Sequence, residues 1–405
     1  MIALPVAGPF SRVRCERIAD GCAALLAASL PWSTSATSIL AVLWLVALLP
    51  TLKLSSAQRV LKHPASILPI VMVGLALCGL AWGGPVPWAE RIAGLGQFVK
   101  LLAIPLLFLQ FMRSDNGRWP LVAFLVSSTV LLAYSWLLVV FPSLPSRGYP
   151  QGVPVKDYVI QSEIFAVCAF VLFDRALTAW KDTRRGDAAL LVALALIFVA
   201  NIAFVATART TLVIMAVVFV LFGLRHFTRI QLAVFLAAVV AGAAIAWASS
   251  PYLQLRVANA VSDIEAGDAA PETSIGARLY FWRQSLTFIQ DAPLIGHGTG
   301  SVRDTFRRAA SDPAKELASN PHNQVLAVGI QLGLAGVFVL LALWVVHWRL
   351  FQAAGATAWI GLVVVAQNVV GSLFNSHLFD FTQGWLYVIG VGVTGGMMMR
   401  QRAGP

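Results

Sequence analysis

The 405-residue chain is 59% hydrophobic and only 12% charged, with a formal net charge of +11 and a mean hydropathy of +0.79. Charged residues make up about a quarter of an ordinary soluble domain, so a water-exposed globular protein is excluded. The apolar residues run in unbroken blocks, without the alternation of outer-membrane barrel strands. The expected class is an all-α polytopic membrane protein with about twelve transmembrane helices, each near 20 apolar residues.

Met1–Asp20 carries Arg12, Arg14 and Arg17 and resembles a signal-peptide n-region. No clean cleavage site follows and many further spans do, so it reads as a retained cytoplasmic tail. Spans are expected near 21–34, 37–53, 66–83, 96–112, 120–141, 158–178, 187–207, 210–224, 230–249, 321–346, 355–374 and 384–399. Pro31 and several serines interrupt the first. Ala188 to Leu224 would be about 55 Å as one helix, too long to cross once, so the chain must turn near Thr207–Thr211. Cys78 and Cys168 lie inside expected helices, and Cys15 and Cys22 in the N-terminal segment. No disulfide framework or zinc site is legible.

The loops set the orientation. Arg12, Arg14, Arg17, Lys53, Arg59, Lys62, Arg113, Arg118, Arg175, Lys181, Arg184, Arg185, Arg225, Arg229, Arg349, Arg400 and Arg402 collect on one side. The short loops opposite hold only Arg91, Arg147, Lys156 and Arg209, and Lys100 lies within a span. Both termini are therefore expected to be cytoplasmic, and the long segment 250–320 external. The positive charge is a topology signal and not a nucleic-acid footprint.

Residues 1–405 read as a single integral membrane domain with the loop 250–320 inserted between the ninth and tenth helices. A chain of this kind is often a transporter, with ionisable groups at mid-membrane and repeated halves. No repeat is visible, and Glu163 is the nearest approach to an acid in a span centre. Polar residues concentrate in 250–320 and at the external helix ends, where an enzyme working at the outer membrane surface keeps its site.

In that segment Ser274 can cap a helix running to about Gln290, with an apolar face of Ile275, Leu279, Trp282, Leu286 and Ile289. Such a stripe lies on the membrane surface or packs on the bundle. Asp291-Ala292-Pro293 ends the helix, and the turn Gly296-His297-Gly298-Thr299-Gly300 follows. Ser301-Val302-Arg303-Asp304 reads as a capping-box start for a second short helix. Asp263, Glu265 and Asp268 read as a solvated acidic loop rather than a metal site, and His297 as loop structure.

Asn320-Pro321-His322 combines a favoured N-cap with proline at the first helical position. His322 then falls in the first turn of the tenth span. The positive helix end keeps an imidazole neutral, the form that accepts a proton. An interfacial histidine with no such duty fits the same residues. Arg209, in a turn with almost no loop, sits at the membrane boundary, where a guanidinium is costly and functional by default; snorkelling to lipid phosphate is the alternative. Arg278 and Arg283 lie on the external helix. A cation–π contact with Trp282 is the plain reading of Arg278. Arg147, Tyr149 and Lys156, in another external loop, add to a candidate anion site. His377 and Asp380 are candidates to line it. The spacing Gly329-x-x-x-Gly333 reads as close helix packing.

His322-Asn323, followed after residues 324–332 by Gly333-Leu334-Ala335-Gly336, resembles the signature of the bacterial O-antigen ligases. The twelve-span outline, the large external loop before the motif and the hairpin arginine resemble that family too. O-antigen polymerases and protein O-oligosaccharyltransferases are similar in outline, though the latter are usually longer. The resemblance implies a glycosyltransferase of the bacterial inner (cytoplasmic) membrane with its site on the periplasmic face. It implies transfer of O-antigen from undecaprenyl diphosphate to a sugar hydroxyl of the lipid A–core, in lipopolysaccharide maturation. The implied partners are these two substrates and membrane lipids, with no nucleic acid, cofactor or metal. It also implies His322 as base and Arg209 with Arg278, or less well Arg283, as diphosphate ligands. Asn323, Arg147, Tyr149 and Lys156 are carried as substrate-binding candidates. A flippase for a lipid-linked sugar is the alternative from a different class.

Overall fold

The computed structural model describes residues 12–146, 151–266, 274–310 and 320–403. Its helices, in chain order, are α1 (Arg12–Ser29), α2 (Thr34–Leu48), α3 (Leu54–Leu61), α4 (Pro64–Cys78), α5 (Trp88–Val99), α6 (Ala103–Phe111), α7 (Arg118–Val140), α8 (Tyr158–Lys181) and α9 (Arg185–Phe204). They continue with α10 (Arg209–His226), α11 (Arg229–Ser249), α12 (Pro251–Ala266), α13 (Ser274–Asp291), α14 (Ser301–Ala309), α15 (Gln324–Leu350), α16 (Ala356–Gly371) and α17 (Phe381–Ala403). No strand occurs among the described residues. The chain is an all-α polytopic membrane protein.

Among the described residues seven stretches are long and apolar enough to cross a bilayer, and α4 and α16 are shorter apolar helices. The other three expected spans also exist as helices: α1, α8 and α17. Each is diluted by polar residues that the bundle buries, such as Asp20, Glu163, Asp174, Gln383 and Thr394. The span expected at 96–112 begins earlier, because α5 and α6 join through a short tight turn at Lys100–Leu102 into one stretch, Trp88–Phe111. Arg91, expected in a loop, lies in that stretch and is buried. Its guanidinium donates to the carbonyls of Val86, Leu80 and Gly84.

The core lies where α6, α8, α16 and α17 meet; Phe108, Phe165, Trp359 and Tyr387 are fully buried there. The outside of the bundle is also apolar. α11 buries no residue at all, and Ile230 and Val240 stand fully out from it. Such a surface suits lipid, where chain tails take the place of water.

The turn required near Thr207–Thr211 is present, between the end of α9 at Phe204 and the start of α10 at Arg209. Thr207 Oγ1 donates to the carbonyls of Ile202 and Ala203 and so closes the last turn of α9. Arg209 occupies the first position of α10 behind an uncapping residue, Ala208.

The end of the bundle that carries 250–320 is held by a break in α15. Gly333 has φ 60° and ψ −160°, which interrupts the helix. The freed backbone groups pair with the chain after α13. His297 and Gly298 donate to the carbonyls of Ile330 and Gln331 at 2.8 and 2.9 Å, and Leu334 donates to Pro293 at 2.8 Å. An unpaired backbone group at membrane depth costs several kcal/mol, so the loop and the break specify each other. A Cβ on Gly333 would come within 2.4 Å of the Leu294 carbonyl carbon. The Gly329-x-x-x-Gly333 spacing thus serves close packing at Gly329, which meets Ile289, and a break at Gly333. The glycine turn also reaches α4, where Thr299 donates through N and Oγ1 to Gly79 and Ala76.

α13 and α14 exist as expected, with two differences. The face of α13 that is buried is Phe281, Ser285 and Phe288. Phe281 and Phe288 pack with Val302, Phe306 and Ile330 as a second small core. Leu279 and Leu286 of the expected stripe stay exposed, because α13 carries apolar residues on two sides and the aromatic side meets protein. The capping box at Ser301 does not form. Gly300, in the left-handed region at φ 82°, is the N-cap without a side-chain bond, and Ser301 is already helical.

Candidate functional site

The expected helix start at Asn320-Pro321-His322 is corrected. α15 begins at Gln324, and Asn323 is its N-cap, accepting from the backbone N–H of Val325 and Leu326. His322 has φ 52° and stands outside the helix. The Asn320 side chain closes a local turn by accepting from the His322 N–H at 2.9 Å and from Ser376 Oγ at 2.6 Å. A left-handed residue other than glycine is strained by about 1–3 kcal/mol, and here it turns the imidazole out of the helix and into a cavity.

That cavity, of about 640 Å³, opens at this end of the bundle. Trp32, Lys156, Thr210, Arg278, His322 and Asn375 are among its lining residues, with His377, Asp380, Thr382 and Gln383 at its floor. His322 Nδ1 lies 3.1 Å from Asn375 Oδ1. Asn375 Nδ2 donates to Asp380 Oδ2 at 3.0 Å, and Asn320 Nδ2 donates to Asn375 Oδ1. The carboxylate can only accept, so the amide of Asn375 must turn its oxygen toward the histidine. His322 Nδ1 is then the protonated nitrogen and Nε2 carries the lone pair. No hydrogen bond among the described residues engages Nε2. The Phe281 ring braces the imidazole from α13, with centroids 6.4 Å apart.

Burial lowers the His322 pKa below its usual value, and Arg278 lowers it further against the pull of Asn375. The ring is neutral at pH 7. Asp380 is raised to about 6 by burial, held down in part by His377 and Lys100. Lys100 fastens the same loop by donating to the carbonyls of Phe379 and Asp380. Below the cavity Glu163, fully buried, meets His377 Nε2 at 3.2 Å and accepts from Gln383 at 2.8 Å. His377 Nδ1 and Gln383 Oε1 are buried with no partner, so the floor has polar capacity left over.

Arg278 lines the cavity, one helical turn before Phe281 on α13, and forms no cation–π contact with Trp282. Burial lowers its pKa first and Arg209 next, while Tyr158 raises it; the two guanidinium groups share one neighbourhood. Arg283 is exposed and is not part of the cavity wall. Lys156 is in the wall, where it donates to the Leu30 carbonyl and Thr382 Oγ1, both at 2.7 Å. Burial lowers its pKa to about 8. Arg209 pairs with Asp263 Oδ2 at 2.8 Å. Asp263 is therefore not in a solvated loop, but on α12 with its side chain mostly covered. Asp268 lies outside the described residues.

Asn323 stays out of the cavity. Its oxygen caps α15 and its Nδ2 donates to the Leu373 carbonyl. Arg147 and Tyr149 lie outside the described residues. Sequence reasoning did not find Asn375, Lys100, Gln383, Thr382 or Trp32. His377 and Asp380, expected as candidates to line the site, do line the cavity, whereas Asn375 lies in the same short loop with no local pattern, and only its contact with His322, far away in sequence, marks it.

At one end of this helical membrane protein a neutral histidine and partly buried cations thus surround a polar cavity. Residues 190–341 match the family model described as O-antigen ligase. The match includes Arg209, Arg278, His322 and the Gly333 break, and stops short of Asn375 and Asp380. No curated protein matches the chain.

Proposed function

We propose that the protein is a membrane glycosyltransferase of the O-antigen ligase type. It transfers glycan from undecaprenyl diphosphate to a sugar hydroxyl of the lipid A–core on the periplasmic face of the bacterial inner membrane. The observation that carries this reading is the His322–Asn375–Asp380 chain, which leaves Nε2 as an open proton acceptor in the cavity wall.

The acceptor hydroxyl gives its proton to His322 Nε2 as its oxygen attacks the anomeric carbon of the donor. The bond from that carbon to the diphosphate breaks, and its electron pair leaves on the phosphate oxygen. Attack opposite the leaving group inverts the anomeric centre. A diphosphate needs charge stabilisation rather than protonation to leave, and Arg278 and Arg209 are the groups that supply it. Neither role of the chain's own groups calls for a further cofactor.

The lipopolysaccharide gel of a deletion strain tests the reading. Loss of all capped species, with polyprenyl-linked polymer accumulating, is expected. Retention of single-unit caps indicates a polymerase instead. Donor glycan retained on the cytoplasmic leaflet indicates a flippase.

A further inference from the structure

Arg209 and Asp263 pair across two helices, and the company they keep is mostly cationic. α12 runs from Pro251 to Ala266, and of its described residues only Leu253 is buried. Arg256 and Asp263, two turns apart, share the face turned to the bundle. Arg256 donates to the Tyr158 hydroxyl at 2.8 Å and stacks on that ring at 4.8 Å. Tyr158 and Arg209 both act on the charge of Arg278. Arg256 sits on Tyr158, Arg278 feels the charge of both Tyr158 and Arg209, and Asp263 is the acid paired with Arg209. Little apolar burial holds the helix that brings Asp263.

We infer that Asp263 occupies the place of a phosphate on Arg209 and makes the arginine cluster selective for a diphosphate diester over a phosphate diester. This rests on the proposed function, in which Arg209 and Arg278 hold the donor's diphosphate. The site lies at a membrane surface crowded with phospholipid headgroups, each a phosphodiester of single negative charge. Uncovered arginines at that surface would bind them. With Asp263 in place, a single phosphodiester exchanges one anionic contact on Arg209 for another and gains little. A diphosphate diester carries two charges, so it replaces Asp263 on Arg209 and also engages Arg278. Like charges brought together repel, so the carboxylate penalises any anion that does not displace it.

Titration of the detergent-purified full chain with dimethyl diphosphate and with dimethyl phosphate, followed by phosphorus NMR, tests this. The wild type is expected to bind the diphosphate more tightly by about tenfold or more, and Asp263→Asn to tighten dimethyl phosphate by about tenfold, so that the preference shrinks. Asp263→Glu keeps the carboxylate and is expected to keep the preference, which separates the charge from the fold of α12. Arg209→Ala is expected to weaken dimethyl diphosphate in either background. If Asp263→Asn binds dimethyl phosphate no more tightly than the wild type while Arg209→Ala still weakens the diphosphate, the inference alone is overturned. Diphosphate binding that is indifferent to Arg209→Ala, or a wild type that binds neither probe, overturns the diphosphate role of Arg209 and the inference with it.

Discussion

The two ends of the bundle both hold polar clefts, and they differ in how their charges are partnered. At the end opposite the long loop, a cleft of about 200 Å³ is lined by Glu16, Arg17, Asp20, Arg113 and Asp115. Buried Asp20 accepts from Gln110, Ser114 and Asn116 at 2.7–2.9 Å. Arg113 is spent on the Leu109 and Thr51 carbonyls, and Arg400 pairs with Asp115. At the loop-bearing end, His377 Nδ1 and Gln383 Oε1 are buried without partners, and His322 is held in a strained backbone conformation. A satisfied cluster fastens helices together. An unsatisfied one, kept at a cost in stability, marks where a substrate completes the hydrogen bonding.

Substitutions at the two ends are expected to separate activity from stability. The largest effect is His322→Ala, expected to lower transfer from lipid-linked donor to lipid A–core by roughly 10²–10⁴ with the melting temperature retained. Normal capping restored by this variant at native expression would break the contrast at its centre.

Asp380→Asn comes next, with an expected loss of about 10–100-fold through misorientation of Asn375. The pH profile sharpens it. Asp380 is raised to about 6 and must be ionised to fix the Asn375 amide, so wild-type transfer is expected to fall as pH drops through about 6. Burial lowers His322 below its usual value, and Asp380→Asn is expected to lose the limb that belongs to Asp380. The sign for stability is opposite. A raised carboxyl pKa means that the fold disfavours the ionised form, so above about pH 6 the charge costs stability, and the cost is relieved as pH falls. The asparagine variant is therefore expected to melt higher at pH 8 while transferring more slowly. A lower melting temperature at pH 8 would count Asp380 among the fasteners.

Lys156→Met is expected to act more weakly. The lysine braces the cavity wall through Leu30 and Thr382, and its removal should cost about 1.5–3 kcal/mol of stability for each bond its charged amine loses. The readout is a modest rise in KM for the donor with kcat little changed. Asp20→Asn, at the far end, is expected to destabilise by about 1–3 kcal/mol and to leave the rate per folded molecule unchanged. A changed rate there would end the distinction between the two clefts.

Class and rough helix positions were legible in the sequence because lipid demands long apolar helices, and such runs appear locally. The turn at Arg209 was legible for the same reason, since the fused run was too long to cross once. Asn320-Pro321-His322 was misread by local rules. Each residue suits a helix start, but the chain uses Asn320 to close a turn and passes the cap to Asn323. The face of α13 was misread because apolar residues lie on two sides, and only its neighbours decide which side is buried.

The sequence by itself determined an all-α membrane chain with its spare polar residues gathered in one segment, and it pointed to His322, Arg209 and Arg278. Only the tertiary structure decided that Arg278 and not Arg283 lines the cavity, that Asn375 and Asp380 fix the tautomer of His322, and that Asp263 sits on Arg209. Spans follow from hydrophobicity over some 20 consecutive residues. The His322–Asn375 and Arg209–Asp263 contacts join residues 53 and 54 positions apart, and nothing in the local pattern of either partner encodes the other.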